Sequence, residues 1–247
     1  MMDQYNNYAA LADNTIKTED ITKDSINRDI LRKLEQNEQQ SSLELVCIAG
    51  ERPGDCNDDD EWYNQHYIPV DGEDIGWLGY FIGQNTKLQG LYFYKTIDNE
   101  SFYKEMSCNK SIQEIQFCGI DLLNGKVSHM LNPFLKNNHS LTRITVEESE
   151  YGVEDVRQLS LAIGSCSKSL KTFELGGTRI RDGQLVDIIT SMSIHPQLTE
   201  LVFMGMNIGR NECTALSTLL RCTTTNLRIL DLRGCNIDDV GMGLLLP

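Results

Sequence analysis

The side chains best suited to metal binding are concentrated in one acidic stretch. Asp55-Cys-Asn57-Asp-Asp59 has the alternating oxygen ligands with which a calcium-binding loop begins. The pattern then fails, because Asp60 stands where such a loop needs glycine and His66 stands where it needs a bidentate glutamate. Cys56 and His66 lie in the same stretch, but no second pair with zinc-ligand spacing follows. The sequence therefore predicts no metal site and no cofactor. The stretch is better explained as a solvated acidic loop that attracts a basic partner, with calcium binding as the weaker alternative.

No set of residues with the spacing of a catalytic site is present. The four histidines are far apart in the sequence: His66, His129, His139 and His195. A phosphate-binding loop would need lysine after its second glycine, and the segment Gly205-x-x-x-Gly209 has none. We therefore expect the protein not to be an enzyme.

The charge and hydropathy patterns narrow the classes of partner. The 247 residues include 36 acidic and 22 basic side chains, for a formal charge of −14, which repels phosphate backbones and anionic lipids. No window reaches the roughly 18–20 apolar residues of a membrane-spanning helix, and the first twenty residues do not form a signal peptide. We expect a cytoplasmic protein, with the nucleus as the alternative, that binds neither nucleic acid nor membrane.

Two features could instead indicate export, namely the cysteines and the glycosylation sequons. The eight cysteines are scattered and form no CxxC pair, so reduced thiols that fill apolar space are expected. Three sequons are present: Asn99-Glu-Ser101, Asn109-Lys-Ser111 and Asn138-His-Ser140. Ser111 and Ser140 each stand one residue before a predicted strand, where a small polar side chain can bond to loop backbone. We therefore favour a structural role for these two sites over glycosylation.

An internal repeat with the pattern L-x-x-L-x-L organises most of the chain. Its copies begin at Leu88, Ile112, Leu141, Leu170, Leu198 and Leu227, and all 18 pattern positions are apolar. A chain with 40% hydrophobic residues would give about 7 of 18 by chance. Apolar residues at i, i+3 and i+4 precede nearly every copy, as in Leu159/Ala162/Ile163 and Leu216/Leu219/Leu220. Each unit is therefore predicted to be one strand and one helix. In the unit at 94–111 the charged Glu105 lies between Phe102 and Met106, so only a single helical turn or an irregular segment is expected there.

These residues resemble the leucine-rich repeat family, in its ribonuclease-inhibitor-like branch with repeats of 28–29 residues. The segment from Leu227 to Ile237 is the best copy, with Cys235 where the family allows Asn or Cys. The resemblance implies an α/β fold, a curved horseshoe-shaped solenoid of about seven units. Parallel strands would line its concave face and helices its convex face.

The repeat pattern also predicts the domain boundaries. Residues 1–42 match no repeat and contain a candidate helix, capped by Asp24 or Ser25, that would cover the first strand. The repeat domain is predicted at 43–247, with an early strand at Leu43–Ile48 and an acidic insertion at 51–74. The last repeat stops within its expected helix, so the domain is predicted to be truncated at its C-terminus.

Residues between the repeated apolar positions are predicted to form the binding surface. Neighbouring strand residues alternate faces, so the stacked strands align these intervening side chains in three columns on the concave face. The columns are chemically mixed, as expected for a surface released from packing. The candidate protein-binding residues are Tyr92, Tyr94, Glu114, Gln116, Arg143, Thr145, Glu147, Thr172, Glu174, Glu200, Met204, Asp231 and Arg233.

The sequence thus favours a non-enzymatic scaffold that binds a basic surface of another protein. Two alternatives stay open at this point. The same repeat branch includes activators of small GTPases, for which Arg143, Arg179 and Arg210 would be the candidate residues. The chain could also be the recognition fragment of a larger sensor.

Overall fold

The chain folds as alternating strands and helices. The computed structural model describes residues 8–9, 17–38, 42–45, 66–70, 72–94, 97, 99–119, 121–122, 126–166, 168–177, 180, 183–224 and 226–245. The strands are β1 Ser42–Leu45, β2 His66–Tyr67, β3 Gly90–Phe93, β4 Glu114–Cys118, β5 Asp121–Leu122, β6 Arg143–Glu147, β7 Glu150–Tyr151, β8 Thr172–Gly176, β9 Glu200–Met204 and β10 Ile229–Asp231. The helices are α1 Thr18–Ile21, α2 Ser25–Glu35, α3 Gly76–Gln84, α4 Glu100–Met106, α5 Lys126–Asn137, α6 Val153–Ser165, α7 Leu185–Met192, α8 Arg210–Leu220 and α9 Asp239–Leu245.

Eight of the strands form one parallel sheet. Their order is β10-β9-β8-β6-β4-β3-β1-β2, and β5 and β7 form a separate two-stranded sheet. Consecutive helices from α3 to α9 contact one another on the opposite side. Strands lie about 4.8 Å apart and packed helices about 8–10 Å apart, so such an array curves with its strands inside. The fold is therefore an α/β solenoid of leucine-rich-repeat type, as predicted.

The repeated apolar residues stack into one interior. Leu91, Ile115, Ile144, Phe173 and Leu201 occupy the same register position on successive strands and are buried. The apolar residues at i, i+3 and i+4 of the helices pack against these strand residues. Leu220, at the end of α8, is the one exception among the predicted positions, since it is 45% exposed. The strand pattern L-x-x-L-x-L and the helix spacing i, i+3, i+4 thus predict the two layers of side chains that form one hydrophobic core.

The acidic insertion is partly built into the N-terminal end of the sheet. β2 pairs with the outer edge of β1, although it follows β1 in the chain. Asn27 of α2 binds the backbone of Ile68 through both of its amide atoms, at 2.6 and 3.1 Å. The carboxylate of Glu73 accepts hydrogen bonds from Thr22 and Tyr67. Residues 66–70 and 72–74 thus help to cover the first unit, while the calcium-like segment and residues 51–65 lie outside the described residues.

Helix α2 packs on the N-terminal end of the array, in contact with β2 and α3. Asp24 accepts hydrogen bonds from the backbone amides of Ile26 and Asn27 at 2.9 and 2.8 Å, which starts α2. Ile30, Leu31 and Leu34 of this helix are buried in the hydrophobic core.

The unit at 94–111 is more regular than its sequence indicates. Helix α4 spans seven residues, and Phe102, Tyr103 and Met106 are buried, so the prediction of a single turn was wrong. Asn99 caps this helix by accepting from the amide of Phe102 at 2.8 Å. Close packing on α3 completes it, because a Cβ at Gly79 would overlap the carbonyl oxygen of Phe102. The absence of a side chain at Gly79 therefore lets the short helix α4 pack closely on α3.

A buried asparagine ladder connects the ends of the helices. Asn85, Asn109 and Asn138 occupy one position in successive units and are buried. The Asn109 amide donates to the carbonyls of Ile82 and Asn85, at 2.6 and 2.8 Å. Because the side chains of Asn109 and Asn138 are inside the fold, these two sequons serve a structural role. His195, also buried, places its Nε2 atom 3.0 Å from the carbonyl of Ile163.

Candidate functional site

The predicted columns exist in the sheet. One runs through Glu114, Arg143, Thr172 and Glu200, and its neighbour runs through Tyr92, Gln116, Thr145, Glu174, Val202 and Asp231. A third aligns Cys118, Glu147, Gly176 and Met204, with Tyr94 one residue after the end of β3 and Arg233 two residues after the end of β10. We call this surface the concave face. All thirteen candidate residues lie on it.

Side chains on the concave face differ in how far they protrude. Thr145 and Thr172 are each only 6% exposed, so they form its floor. Ile229 is 51% exposed at the last strand, which adds an apolar position to the predicted set. Contact with a partner would thus depend mainly on the longer charged and aromatic side chains around the two threonines.

Carboxylates dominate the C-terminal half of the face. Arg143 lies 3.9 Å from Glu174 and 3.8 Å from Glu200, which are ion-pair distances beyond the usual hydrogen-bond range. The Oγ1 atom of Thr172 donates to Glu200 at 3.2 Å, and the amide of Gln116 donates to Glu147 at 3.2 Å. The guanidinium of Arg143 is thus shared between the carboxylates of Glu174 and Glu200 without direct hydrogen bonds, so it neutralises their negative charge only in part.

The proton affinity of Glu174 reflects this arrangement. Partial burial raises the pKa of Glu174, the nearby carboxylate of Glu147 raises it further, and Arg143 opposes both effects. Asp231 behaves in the opposite way, because hydrogen bonds from Arg233 lower its pKa. Arg233 approaches the Asp231 carboxylate at 2.7 Å, so this acid is already paired. Of these two acids, Glu174 has the more distant arginine, at 3.9 Å, and would gain more from an additional cation.

Aromatic and polar groups occupy the N-terminal half of the face. The hydroxyl of Tyr92 donates to Glu114 at 3.3 Å, and its ring lies over Gly90, where a Cβ would come within 2.9 Å of the ring. Tyr94 is half-buried beside it. Trp77 and Phe81 belong instead to the helix side, where Trp77 packs on Tyr8 with ring centroids 5.0 Å apart. The tyrosines of the face are thus separate from the aromatic cluster of the core.

A left-handed residue follows each of five strands, and one of these residues was missed by sequence reasoning. Gly119, Gly177, Gly205 and Gly234 have φ between 58° and 69°, and Glu148 has φ 49° at the equivalent position. This turn lets the amides of Gly119, Glu148, Gly177 and Gly205 donate to the next unit, as Glu148 does to the carbonyl of Gly176 at 3.0 Å. Glu148 is exposed beside Glu147 and extends the acidic edge of the concave face. The recurrence of glycine at this position is the signal that could have identified it.

The arginines proposed for GTPase activation do not share a site in the described part of the chain. Arg143 lies between carboxylates on the sheet, whereas Arg210 begins α8 and lies 3.6 Å from Asp238. Arg179 lies outside the described residues. No observation therefore favours a phosphate-directed role for this set.

The described residues hold neither a candidate metal centre nor a candidate membrane span. There, no group of three or more His, Cys, Asp or Glu side chains is arranged to hold a metal ion. Among the helices of the same ranges, none is both long and apolar enough to cross a bilayer.

Comparisons with known proteins give little further information. No protein-family model matches the sequence, and no curated protein matches it. Among solved structures, the chain is similar to an internalin, inlF, from Listeria monocytogenes. The two share 14% identity over 93% of this chain and 81% of that chain, with a TM-score of 0.34. The assignment of the fold therefore rests on the strand register and the stacked core described above.

Proposed function

We propose that the chain is a non-enzymatic scaffold that binds another protein through the concave face, and that the contacted surface of this partner is basic. The observation that carries the proposal is the placement of Glu147, Glu174 and Glu200 on the adjacent strands β6, β8 and β9, where Arg143 lies only within ion-pair distance of Glu174 and Glu200. A cationic side chain of the partner would complete the neutralisation of these carboxylates.

Electrostatic and aromatic contacts would have different roles in this complex. The negative field of the concave face speeds encounter with a basic surface. Tyr92 and Tyr94 offer rigid aromatic area of the kind that anchors interfaces and slows dissociation. The face therefore combines a region that attracts a partner with a region that retains it.

Charge-matched variants test the proposal. The triple variant E147Q/E174Q/E200Q removes three charges from the concave face. The control E100Q/E154Q/D187N removes three from the helices on the outside. Each immobilised protein would be used to capture partners from a cell lysate, and the affinity of each captured partner would then be measured.

The concave triple variant should bind a captured partner more weakly than the wild type. At about 0.2–1 kcal/mol for each exposed charge contact, the loss is roughly 3- to 150-fold. The outside-helix control should keep the wild-type affinity. Equal affinities for the two triple variants would refute the assignment to the concave face, and capture of only acidic proteins would refute the basic partner.

A further inference from the structure

One hydroxyl on the floor of the concave face has no hydrogen-bond partner. Thr145 is 6% exposed and lies on the same face of the sheet as its register neighbours Gln116 and Glu174. No hydrogen bond joins its side chain to any other residue that the structure describes. Thr172 is equally buried on the next strand but differs in this respect, because its Oγ1 atom donates to Glu200 at 3.2 Å. The hydroxyl of Thr145 thus keeps both of its lone pairs for a group that approaches from the concave side.

Long polar side chains surround Thr145. Gln116 on β4 and Glu174 on β8 flank it across the sheet, where neighbouring strands lie about 4.8 Å apart. Glu147 lies two residues further along β6 and therefore faces the same way. The side-chain amide of Gln116 donates to Glu147 at 3.2 Å, which draws this carboxylate toward the column that contains Thr145. We call Thr145, Glu147 and Glu174 the threonine site.

The two carboxylates of the threonine site are short of positive charge. Arg143 borders the site two residues before Thr145, but its guanidinium extends toward β8 and β9, 3.9 Å from Glu174 and 3.8 Å from Glu200. In the part of the chain that the structure describes, no cation forms an ion pair with Glu147. Glu147 also raises the pKa of Glu174, which shows that the two carboxylates repel each other. A cation between them would therefore be attracted by both.

We infer that the threonine site binds the ammonium group of a lysine side chain of the partner. An ammonium has three N–H donors and no acceptor, and the site offers three acceptor groups: the hydroxyl of Thr145 and the carboxylates of Glu147 and Glu174. A guanidinium is planar and holds its donors in a fixed fork, which matches one carboxylate better than acceptors on three sides. The inference rests on the proposed function, because it names the side chain by which the basic partner is recognised.

The hydroxyl and the carboxylates would have different roles in this recognition. Glu147 and Glu174 attract any cation, since Coulomb attraction does not depend on the direction of approach. The hydroxyl of Thr145 adds a directional bond that only an N–H donor can make. Thr145 would therefore determine which cation is bound, and the two glutamates would supply most of the attraction.

Small ammonium ions test the threonine site without the partner. The wild type, labelled with ¹⁵N, would be titrated at neutral pH and constant ionic strength with n-butylammonium, which reproduces the lysine side chain. Two matched probes would be n-butyltrimethylammonium, which has the same charge but no N–H group, and n-butylguanidinium. The NMR signals of the Thr145, Glu147 and Glu174 amides should shift and saturate with n-butylammonium. Its affinity should be at least roughly 10-fold higher than that of n-butyltrimethylammonium, and higher than that of n-butylguanidinium.

Three results of these titrations would overturn the inference. The first is the absence of a saturable shift at the threonine site. The second is equal affinity for n-butylammonium and n-butyltrimethylammonium, which would show that only charge is recognised. The third is tighter binding of n-butylguanidinium, which would assign the site to arginine.

Two valine variants test the role of the hydroxyl. T145V removes the unpartnered hydroxyl, and T172V is the matched control, because Thr172 is equally buried but its hydroxyl already bonds Glu200. T145V should bind n-butylammonium roughly 10-fold more weakly than the wild type, and T172V should keep the wild-type affinity. Circular dichroism would confirm that both variants fold. Wild-type affinity in folded T145V would overturn the inference.

The same variants separate the threonine site from the proposed function. With a captured partner, both T145V and E147Q/E174Q/E200Q should weaken binding. If the triple variant weakened binding and T145V did not, the concave face would bind the partner without a lysine at the threonine site, and this inference alone would fail. If neither variant weakened binding, the proposed function would fail as well.

Discussion

Replacement of Asn109 by alanine should destabilise the whole array. Its amide nitrogen donates to Ile82 and Asn85, and its oxygen accepts from the amides of Ser111 and Ile112 at 2.8 and 2.9 Å. Each such bond contributes about 0.5–1.5 kcal/mol net, so the loss of four predicts about 2–6 kcal/mol. That is a large part of the roughly 5–15 kcal/mol by which domains are stable.

Urea unfolding followed by circular dichroism measures this effect, with neighbouring asparagines as references. N138A removes two hydrogen bonds, at 3.5 and 2.9 Å, and should cost about 1–3 kcal/mol. N137A changes an exposed side chain at the end of α5 and should stay within about 0.5 kcal/mol of the wild type. If N109A were as stable as N137A, the hydrogen-bonded ladder would not be a source of stability and the reasoning would be refuted.

Four further substitutions, with G164A as a control, test other features. G79A should destabilise by about 1–3 kcal/mol in urea unfolding, because its Cβ would force α3 away from α4. G164A, whose Cβ would lie 3.9 Å from the nearest side chain, should instead be neutral or slightly stabilising. E148G should stabilise by about 0.5–1 kcal/mol, since glycine adopts φ 49° without strain, and an equal or lower unfolding midpoint would contradict this. E174Q should raise the melting temperature at neutral pH, because the raised pKa of Glu174 means that its ionisation opposes folding there; this gain should vanish in acid, where Glu174 is protonated in both states. D231N should lower the melting temperature at neutral pH, because Arg233 lowers the pKa of Asp231 and the ionised carboxylate therefore stabilises the fold there. This loss should be absent in acid, where Asp231 is protonated in both states. If both variants shifted the melting temperature in the same direction at neutral pH, the opposite roles given to Glu174 and Asp231 would be contradicted.

The fold was predictable because its main signal is periodic. Leu91 and Leu201 are more than a hundred residues apart, yet the repeat assigns both to one interior position, and both are buried. The same alternation predicted the register that places Arg143 opposite Thr172 and Gln116 opposite Thr145. A repeat pattern thus predicts which residues far apart in the sequence are neighbours in the structure.

Features that depend on contact between non-repeating segments were not predictable. No local pattern in His66–Tyr67 indicates that the strand pairs with the outer edge of β1, since that pairing depends on bonds from α2. The helix at 100–106 forms although Glu105 interrupts its apolar spacing, because the glycines of α3 let it pack closely. The partial neutralisation of Glu174 required distances that only the structure gives. The sequence therefore predicted which residue types line the concave face. It did not predict how far their charges neutralise one another.

Photo-crosslinking from single positions tests the central claim most directly. A photoreactive residue would be placed at Gln116 or Glu174 on the concave face, and at Gln158 on α6 as the reference, before incubation with a captured partner. Crosslinks from Gln116 and Glu174, to a basic segment of the partner, are the predicted result. Crosslinks from Gln158, with none from the two concave positions, would contradict the account.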